Sequence, residues 1–584
     1  MESLCKYRWI CIIILLLIKR GIGFKLTVVH NNDMHARYDP MKGFSENCRK
    51  GEDEQGLCFG GFARVKTAVE QIRTERTTLF LNAGDTFQGT PWYTLFKGDL
   101  AADLMNMLNP DAMSLGNHEF DDKVEGLLPF LNKVQFPVVC ANLDLAKVPK
   151  MKAIKSLVNS IIITKFEMKI GIIGYLTPET KTLVALNDVE FYQEIPMING
   201  EAKKLTKRGV KIIIALGHSG YQMDQEIALR CKDVDLVVGG HSHTFLFTGS
   251  PPHKEKSAGN YPTVVIRSNG QQVPVVQAYA FTKYLGVLDM EFDNGGRLLT
   301  FDGAPILLDR TVKHDSQVKA FLDSKRQAIE ELEGQVVGVS KAYLDGDGSH
   351  CRTGECNLGN LITDAIVYAR VTENLGGIYW TDASIALYNG GGIRATVDSG
   401  VEGTITSADI ITVLPYKNEM MATRIMGKDL IKSLEYSASL RKTSASGGFL
   451  QVSGIRFIIN YNYPKGKRIS SVYVRCSECK IPKYENLHQD DYYWVIVSSY
   501  LLGGGDGYRY LKDARHPQIR PLTLTDTDIL TKYLQEHKIV YPAVENRITI
   551  VGKTHLRSSA IQIQASLIPY VMYSLYILAQ SRFL

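Results

Sequence analysis

Leu26-Thr27-Val28-Val29-His30-Asn31-Asn32-Asp33-Met34-His35 opens on apolar, β-type residues and closes on Asn, Asp and His. The same change of character occurs four more times. Leu79-Phe80-Leu81 leads into Asn82-Ala83-Gly84-Asp85, and Ala112-Met113-Ser114-Leu115 into Gly116-Asn117-His118-Glu119-Phe120-Asp121. Ile212–Leu216 leads into Gly217-His218-Ser219, and Leu236-Val237-Val238 into Gly239-Gly240-His241-Ser242-His243. Continuous Ile/Val/Leu blocks of this kind predict strands buried on both faces of an α/β sheet. In such sheets the carboxyl ends of the strands carry the site, and glycine there lets the chain turn sharply against a ligand.

Asp, Asn and His together suit hard or borderline divalent ions. Alone, a His after a strand reads as a hydrogen-bonded loop residue and an Asp before a turn as a cap. Five such endings in order read differently: Asp33, His35, Asp85, Asn117, His218 and His241, with His243 as a seventh candidate, are enough donors for two ions.

Working outward, predicted strands at Lys25–His30, Thr78–Asn82, Lys169–Tyr175, Val210–Leu216 and Val234–Gly239 alternate with helical stretches up to about residue 300. Val318, Phe321, Leu322, Ile329 and Leu332 then follow helical spacing after Asp315 as a cap and before Gly334 as a stop. We read residues 24–312 as one domain, 313–335 as a single connecting helix, and 336–552 as a second mixed α/β domain rich in glycine turns. The 584 residues are 45% hydrophobic and 22% charged, which excludes intrinsic disorder. A net charge of +6, half of it from residues 1–23, excludes the basic groove of a nucleic-acid polymer binder.

The ends read as addresses. Residues 1–23 carry Lys6 and Arg8, the apolar run Trp9–Ile18 and small residues, the layout of a secretory signal. Ser558-Ser559-Ala560, a short spacer and apolar Ala565–Ala579 have the layout of a GPI-attachment signal across 553–584, with Ser558 or Ser559 as the modified residue. In an exported chain the close pairs Cys48/Cys58, Cys351/Cys356 and Cys476/Cys479 predict three disulfides, while Cys140 and Cys231 read as buried thiols.

The metal motif, with Arg37 two residues beyond His35, resembles the dinuclear metallophosphoesterase signature, and the chain from Phe24 to Val551 resembles the 5′-nucleotidase family. Cys351–Asn360, Asn389–Arg394, Phe449–Gly454 and Gly504–Gly507 are similar to motifs of its second domain. The resemblance implies a four-layer α/β sandwich joined by a helix to a substrate-binding domain. It implies that Asp85 bridges two ions, that Asp33 and His35 complete one shell, and that Asn117, His218 and His241 complete the other. His243 could join a shell, touch phosphate or line the rim. The ions are expected to be Zn²⁺, with Mn²⁺, Mg²⁺ or Ca²⁺ as alternatives, activating a water for in-line attack on phosphorus.

By the same resemblance His118 serves the transferring phosphate or leaving oxygen, with Asp121 holding its imidazole. Arg37 is a phosphate neighbour or a surface salt bridge. Arg352 and Arg394 recognise phosphate, Tyr416 and Tyr500 sandwich the base, Asp506 accepts the ribose hydroxyls, and Asn389 binds near the base. The expected activity is extracellular, metal-dependent hydrolysis of AMP to adenosine and phosphate. Its nearest rival is an apyrase acting on ATP and ADP; a broader nucleotide-sugar or cyclic-phosphate hydrolase and a catalytically silent surface protein are further alternatives. A nucleotide is the expected partner, a GPI anchor the expected membrane link, and a homodimer is left open.

Overall fold

The computed structural model describes residues 23–552 apart from 44, 185–187, 374–377, 399–401, 441–445 and 515–518. The expected leader, except its last residue, and the expected attachment region with Ser558 lie outside them.

Two sheets face each other in the first half. One is built on β1 (Phe24–Asn31), β2 (Thr78–Asn82) and β3 (Ala112–Ser114), which run parallel. Strands Val138–Val139 and Leu157–Val158 extend it on one side, and the antiparallel pair Tyr284–Phe292 and Leu298–Leu307 closes the other. The second sheet is built on parallel β4 (Met168–Leu176), β5 (Ile212–His218) and β6 (Leu236–Val238). Leu26, Val28, Leu79 and Leu81 of the first sheet pack against Ile170, Ile172, Ile214 and Val238 of the second.

The alternate residues of the same strands point outward, and each outer face is covered by helices. Val29, Phe80 and Met113 pack under α1 (Phe62–Glu75), α2 (Pro91–Leu108) and α3 (Lys123–Lys133). Ile173, Ala215 and Val237 pack under α4 (Glu194–Lys207) and α5 (Tyr221–Arg230). This α/β/β/α stack is the expected four-layer sandwich. Burial on both faces explains why these strands carry no polar alternation.

The expected connecting helix is two helices, α6 (Ser316–Asp323) and α7 (Arg326–Gly334). Asp315 caps the first, as its position suggested, accepting from the N–H groups of Gln317 and Val318. The break follows from Ser324, whose hydroxyl turns back onto the carbonyl of Phe321 at 2.6 Å and competes with the helical ladder. Beyond it Arg326 forks onto both oxygens of Asp39, at 2.7 and 2.6 Å, with its guanidinium 5.0 Å from the Trp92 ring.

The second half centres on a five-stranded sheet in which Ile385–Asn389 and Tyr492–Ser498 are parallel neighbours. Asn389 ends the first of them, and the segments that follow their carboxyl ends carry Arg394, Tyr500 and Asp506. The three expected disulfides, Cys48–Cys58, Cys351–Cys356 and Cys476–Cys479, are all present, and Cys140 and Cys231 are buried free thiols. The bridges differ in place. Cys351–Cys356 leads into the helix Asn357–Thr372, whereas Cys476–Cys479 lies in the connection between the antiparallel strands Ile469–Arg475 and Tyr484–Asn486 of a separate four-stranded sheet.

Candidate metal centre and nucleotide cleft

The loop after β1 turns back immediately, with Asp33, His35 and Ala36 at φ of 50°, 49° and 50°. Asp85, His241 and His243 are left-handed too, at 54°, 77° and 50°. Non-glycine residues hold this conformation only where the surroundings over-determine it, and it collects at functional sites. The loops lie on one another with no room to spare: a Cβ on Gly84 would come within 2.5 Å of the Gly116 nitrogen. Phe281 N–H donates to the Asp33 carbonyl and His35 N–H to that of Asp85, tying three loops together.

Seven predicted side chains converge there. His218, the last residue of β5 rather than a loop residue, donates Nδ1–H to the Ala83 carbonyl at 2.6 Å. That fixes its tautomer and aims the Nε2 lone pair at Asp85 Oδ2, 2.9 Å away, and at Asp33 Oδ1, 3.6 Å away. His243 Nε2 lies 3.3 Å from Asp33 Oδ1 and 3.1 Å from His35 Nε2, so the structure brings it into the cluster. His35 Nε2 is 3.8 Å from Asp85 Oδ2, and His241 Nδ1 is 2.8 Å from Asn117 Oδ1. Asp33, His35 and His243 form one donor group; Asp85, His218 and His241 form another.

Buried lone pairs facing one another at these distances repel unless a positive charge lies between them. Asp33 Oδ1, His218 Nε2 and His35 Nδ1 are sealed from solvent with no hydrogen-bond partner. Carboxylates and imidazoles in this mixture fit borderline divalent cations. Burial resists ionisation of Asp85, yet His218, His118 and His35 hold it well below the usual carboxylate range. Burial and Arg394 keep the His35 ring neutral, and burial with His218 brings His241 down to about 4, so both rings keep a lone pair to donate.

His118 and Asp121 are joined at 2.8 Å, Nδ1 to Oδ2. Burial works against charge on the ring, but Asp121 and Asp85 outweigh it and raise the His118 pKa. His118 N–H also donates to Asp85 Oδ1 at 2.8 Å, which ties the dyad to the metal loops.

From the other half, Arg394 Nη2 reaches His35 Nε2 at 3.2 Å, and the Tyr416 ring stacks on His118 with centroids 5.7 Å apart and planes at 18°. Asp506 accepts from Asn389 at 2.8 Å and from the Tyr500 hydroxyl at 2.9 Å. Arg352 follows the disulfide residue Cys351, and burial with the like charge of Arg394 brings it down to about 10. Of the six residues expected to hold a nucleotide, Arg394 and Tyr416 thus reach the donor cluster and its dyad, and Asn389, Tyr500 and Asp506 are joined by hydrogen bonds.

Cys476 and Cys479 take no part in that convergence. The Trp380 indole donates to the Cys476 carbonyl at 2.8 Å, and Cys479 Sγ lies 3.2 Å from the same carbonyl. A bridge between residues three apart restrains only its own turn, so Cys479 is a local staple rather than a residue of the cleft.

Three supporting residues had no assigned role in the sequence. Glu119, fully buried, accepts four main-chain N–H groups: Asp85 at 3.0 Å and Gly116 at 2.6 Å on one oxygen, Thr86 at 2.7 Å and Phe87 at 3.1 Å on the other. Asp224 takes the Tyr175 hydroxyl at 2.7 Å and the Gln277 amide at 2.6 Å, while Gln277 also holds the Gly240 carbonyl beneath His241. The sequence marks Glu119 only as the last residue of the Gly116-Asn117-His118-Glu119 motif, which gives it no role.

Residues 26–245 match the calcineurin-like phosphoesterase family, and with the cluster above they make this half a metallophosphoesterase. Residues 336–513 match the 5′-nucleotidase C-terminal domain. The chain is 45% identical over 536 residues to Protein 5NUC of Lutzomyia longipalpis, covering 91% of this chain and 93% of that one. It is 42% identical to the snake venom 5′-nucleotidase of Naja atra over 90% of this chain and 98% of that one. The crystal structure of a 5′-nucleotidase precursor from Thermus thermophilus superposes with a TM-score of 0.82 at 35% identity, covering 91% of this chain and 100% of that one. The chain belongs to the 5′-nucleotidase family and is a phosphoester hydrolase.

Proposed function

We propose that the chain hydrolyses nucleoside 5′-monophosphates outside the cell, AMP chiefly, to nucleoside and phosphate, with two divalent cations, Zn²⁺ foremost. Asp33, His35 and His243 would hold one cation and Asn117, His218 and His241 the other, with Asp85 between them. The cations supply Lewis acidity and an activated water.

The chain's own groups do the rest. Arg352 and Arg394 present planar forks to phosphoryl oxygens, and being permanently charged they favour the more negative transition state. His118, kept protonated by Asp121, stands to donate to the leaving oxygen, and the dyad fixes which ring nitrogen carries that proton. Tyr416 and Tyr500 offer faces to the base, with Asp506 and Asn389 at the sugar and base edges. The Tyr416 ring lies against His118, so a base stacked on the one would lie close to the acid on the other.

The observation that carries this reading is the approach of Arg394 and Tyr416 to His35 and His118, which supports a guanidinium and an aromatic face acting on one substrate beside the donor cluster. Three disulfides and the likeness to a venom enzyme support an extracellular setting. Chromatographic product analysis of the metal-loaded chain with AMP, ADP and ATP, each alone, tests it. Adenosine from AMP, with ADP and ATP largely untouched, is the expected result; AMP accumulating from ATP or ADP and going no further would replace this reading with an apyrase.

A further inference from the structure

Five arginines are buried among the described residues: Arg37, Arg64, Arg267, Arg370 and Arg547. Four are fully provided for. Arg64 pairs with Asp53, Arg370 with Asp382 and Glu373, Arg547 with Asp364 and Glu545, and Arg267 donates to four main-chain carbonyls. Arg37 is the exception. It is 3% exposed, its Nε and Nη2 have neither solvent nor a hydrogen-bond partner, and no carboxylate pairs with it among the described residues. The surface salt bridge that the sequence allowed is therefore absent. Glu46 acts on it only at longer range and takes the Tyr343 hydroxyl at 2.8 Å.

A guanidinium sealed in this way is costly unless an anion joins it. The Phe281 ring, 5.4 Å from its central carbon, attracts the charge but satisfies no N–H in the plane of the fork. That ring also locates the group. His35 and His243 sit 5.7 and 5.1 Å from the same ring centre, so Arg37 and the imidazoles of the donor cluster share one aromatic neighbour. Arg394, arriving from the other half to touch His35, adds a second positive charge that acts on Arg37. A buried, unpaired guanidinium under the influence of a second, half-buried one calls for an anion, and the fork geometry suits tetrahedral oxyanions.

We propose that Arg37 is a substrate-binding residue whose guanidinium takes phosphoryl oxygens of the bound nucleotide, and of the orthophosphate left after hydrolysis, so that Arg37 and Arg394 grip the anion from the two halves of the chain. This rests on the nucleotidase reading. It gives anion binding a direct part in joining the two halves.

The test compares the metal-loaded full chain with R37M and R37K by calorimetric titration of orthophosphate and of adenosine, and by thermal melting without either. R37M is expected to weaken orthophosphate binding about 10- to 100-fold, the scale of hydrogen bonds to a charged group, and to leave adenosine within about twofold. Without anion R37M should melt no lower than wild type, because it removes an uncompensated buried charge. R37K should recover part of the orthophosphate affinity. Unchanged orthophosphate binding in R37M, or a variant that melts far lower or does not fold, would make Arg37 a structural cation and overturn the proposal. Wild type that binds orthophosphate but neither adenosine nor AMP would sink the nucleotidase reading alone, and wild type that binds no phosphate would sink both.

Discussion

Replacing Glu119 by Gln changes no volume and should still be among the most damaging substitutions in the first half. Each carboxylate oxygen accepts two buried N–H groups, Asp85 and Gly116 on one, Thr86 and Phe87 on the other. Glutamine keeps one accepting oxygen and turns an NH₂ towards the other pair. Two buried N–H groups then lose their acceptor at about 1–3 kcal/mol each, giving a loss of roughly 2–6 kcal/mol. The measurement is urea unfolding at pH 8, since burial and the charge of Asp85 push the Glu119 carboxyl up to about 7 and full ionisation is needed for all four bonds. Because the same bonds fix the Asp85 loop, metal affinity should fall alongside. Stability within about 0.5 kcal/mol of wild type, the range of an ordinary surface change, together with unaltered metal binding would refute the reasoning.

Three further outcomes are expected. Asp121→Asn removes the charge that chiefly raises the His118 pKa, so the alkaline limb of the kcat profile should move to lower pH; an unmoved limb would show that His118 is not the titrating acid. In the metal-free chain His218 opposes burial and is raised to about 10 by Asp85 and Asp33, so the stability it contributes is full below about 6.5 and is lost as pH rises towards 10. A bound cation replaces that proton, so the melting temperature of the metal-loaded chain should vary less across this window, and parallel curves for the two forms would contradict the assignment. Gly239→Ala drives a Cβ into the buried Asp224 carboxylate and should cost at least about 1–3 kcal/mol in chemical denaturation; a neutral result would mean that the support beneath His241 is soft.

The metal cluster was legible because its donors stand at the ends of strands buried on both faces, where apolar runs make the last polar residues conspicuous. The residues proposed to bind the nucleotide are legible only through family resemblance: Tyr416, Tyr500 and Asp506 sit in stretches whose local composition reads as ordinary core or turn. Glu119 and Asp224 could not be read, because their roles depend on main-chain N–H groups and a Tyr–Gln pair brought from distant elements. Helical spacing that persists from Val318 to Leu332 predicts one unbroken connecting helix. The break depends on a serine hydroxyl competing with the backbone and on Arg326 reaching Asp39, more than 280 residues away in sequence. Close cysteine spacing foretells the bridges, and the sequence itself puts Arg352 inside the Cys351–Cys356 span; that Cys476–Cys479 staples a turn between two strands comes only from the fold. The sequence leaves His243 three places to act, and the fold sets its Nε2 3.1 Å from that of His35.

The central claim is that these strand ends hold two divalent cations that make the chain a nucleoside monophosphate hydrolase. Stripping the full chain with chelator, returning Zn²⁺ stepwise, and following bound metal and adenosine release from AMP in the same samples tests it most directly. The account predicts no release without metal and a rise that levels off as about two ions per chain are bound. Undiminished release from the stripped chain, or full activity with a single ion bound and no second site filled, would contradict it.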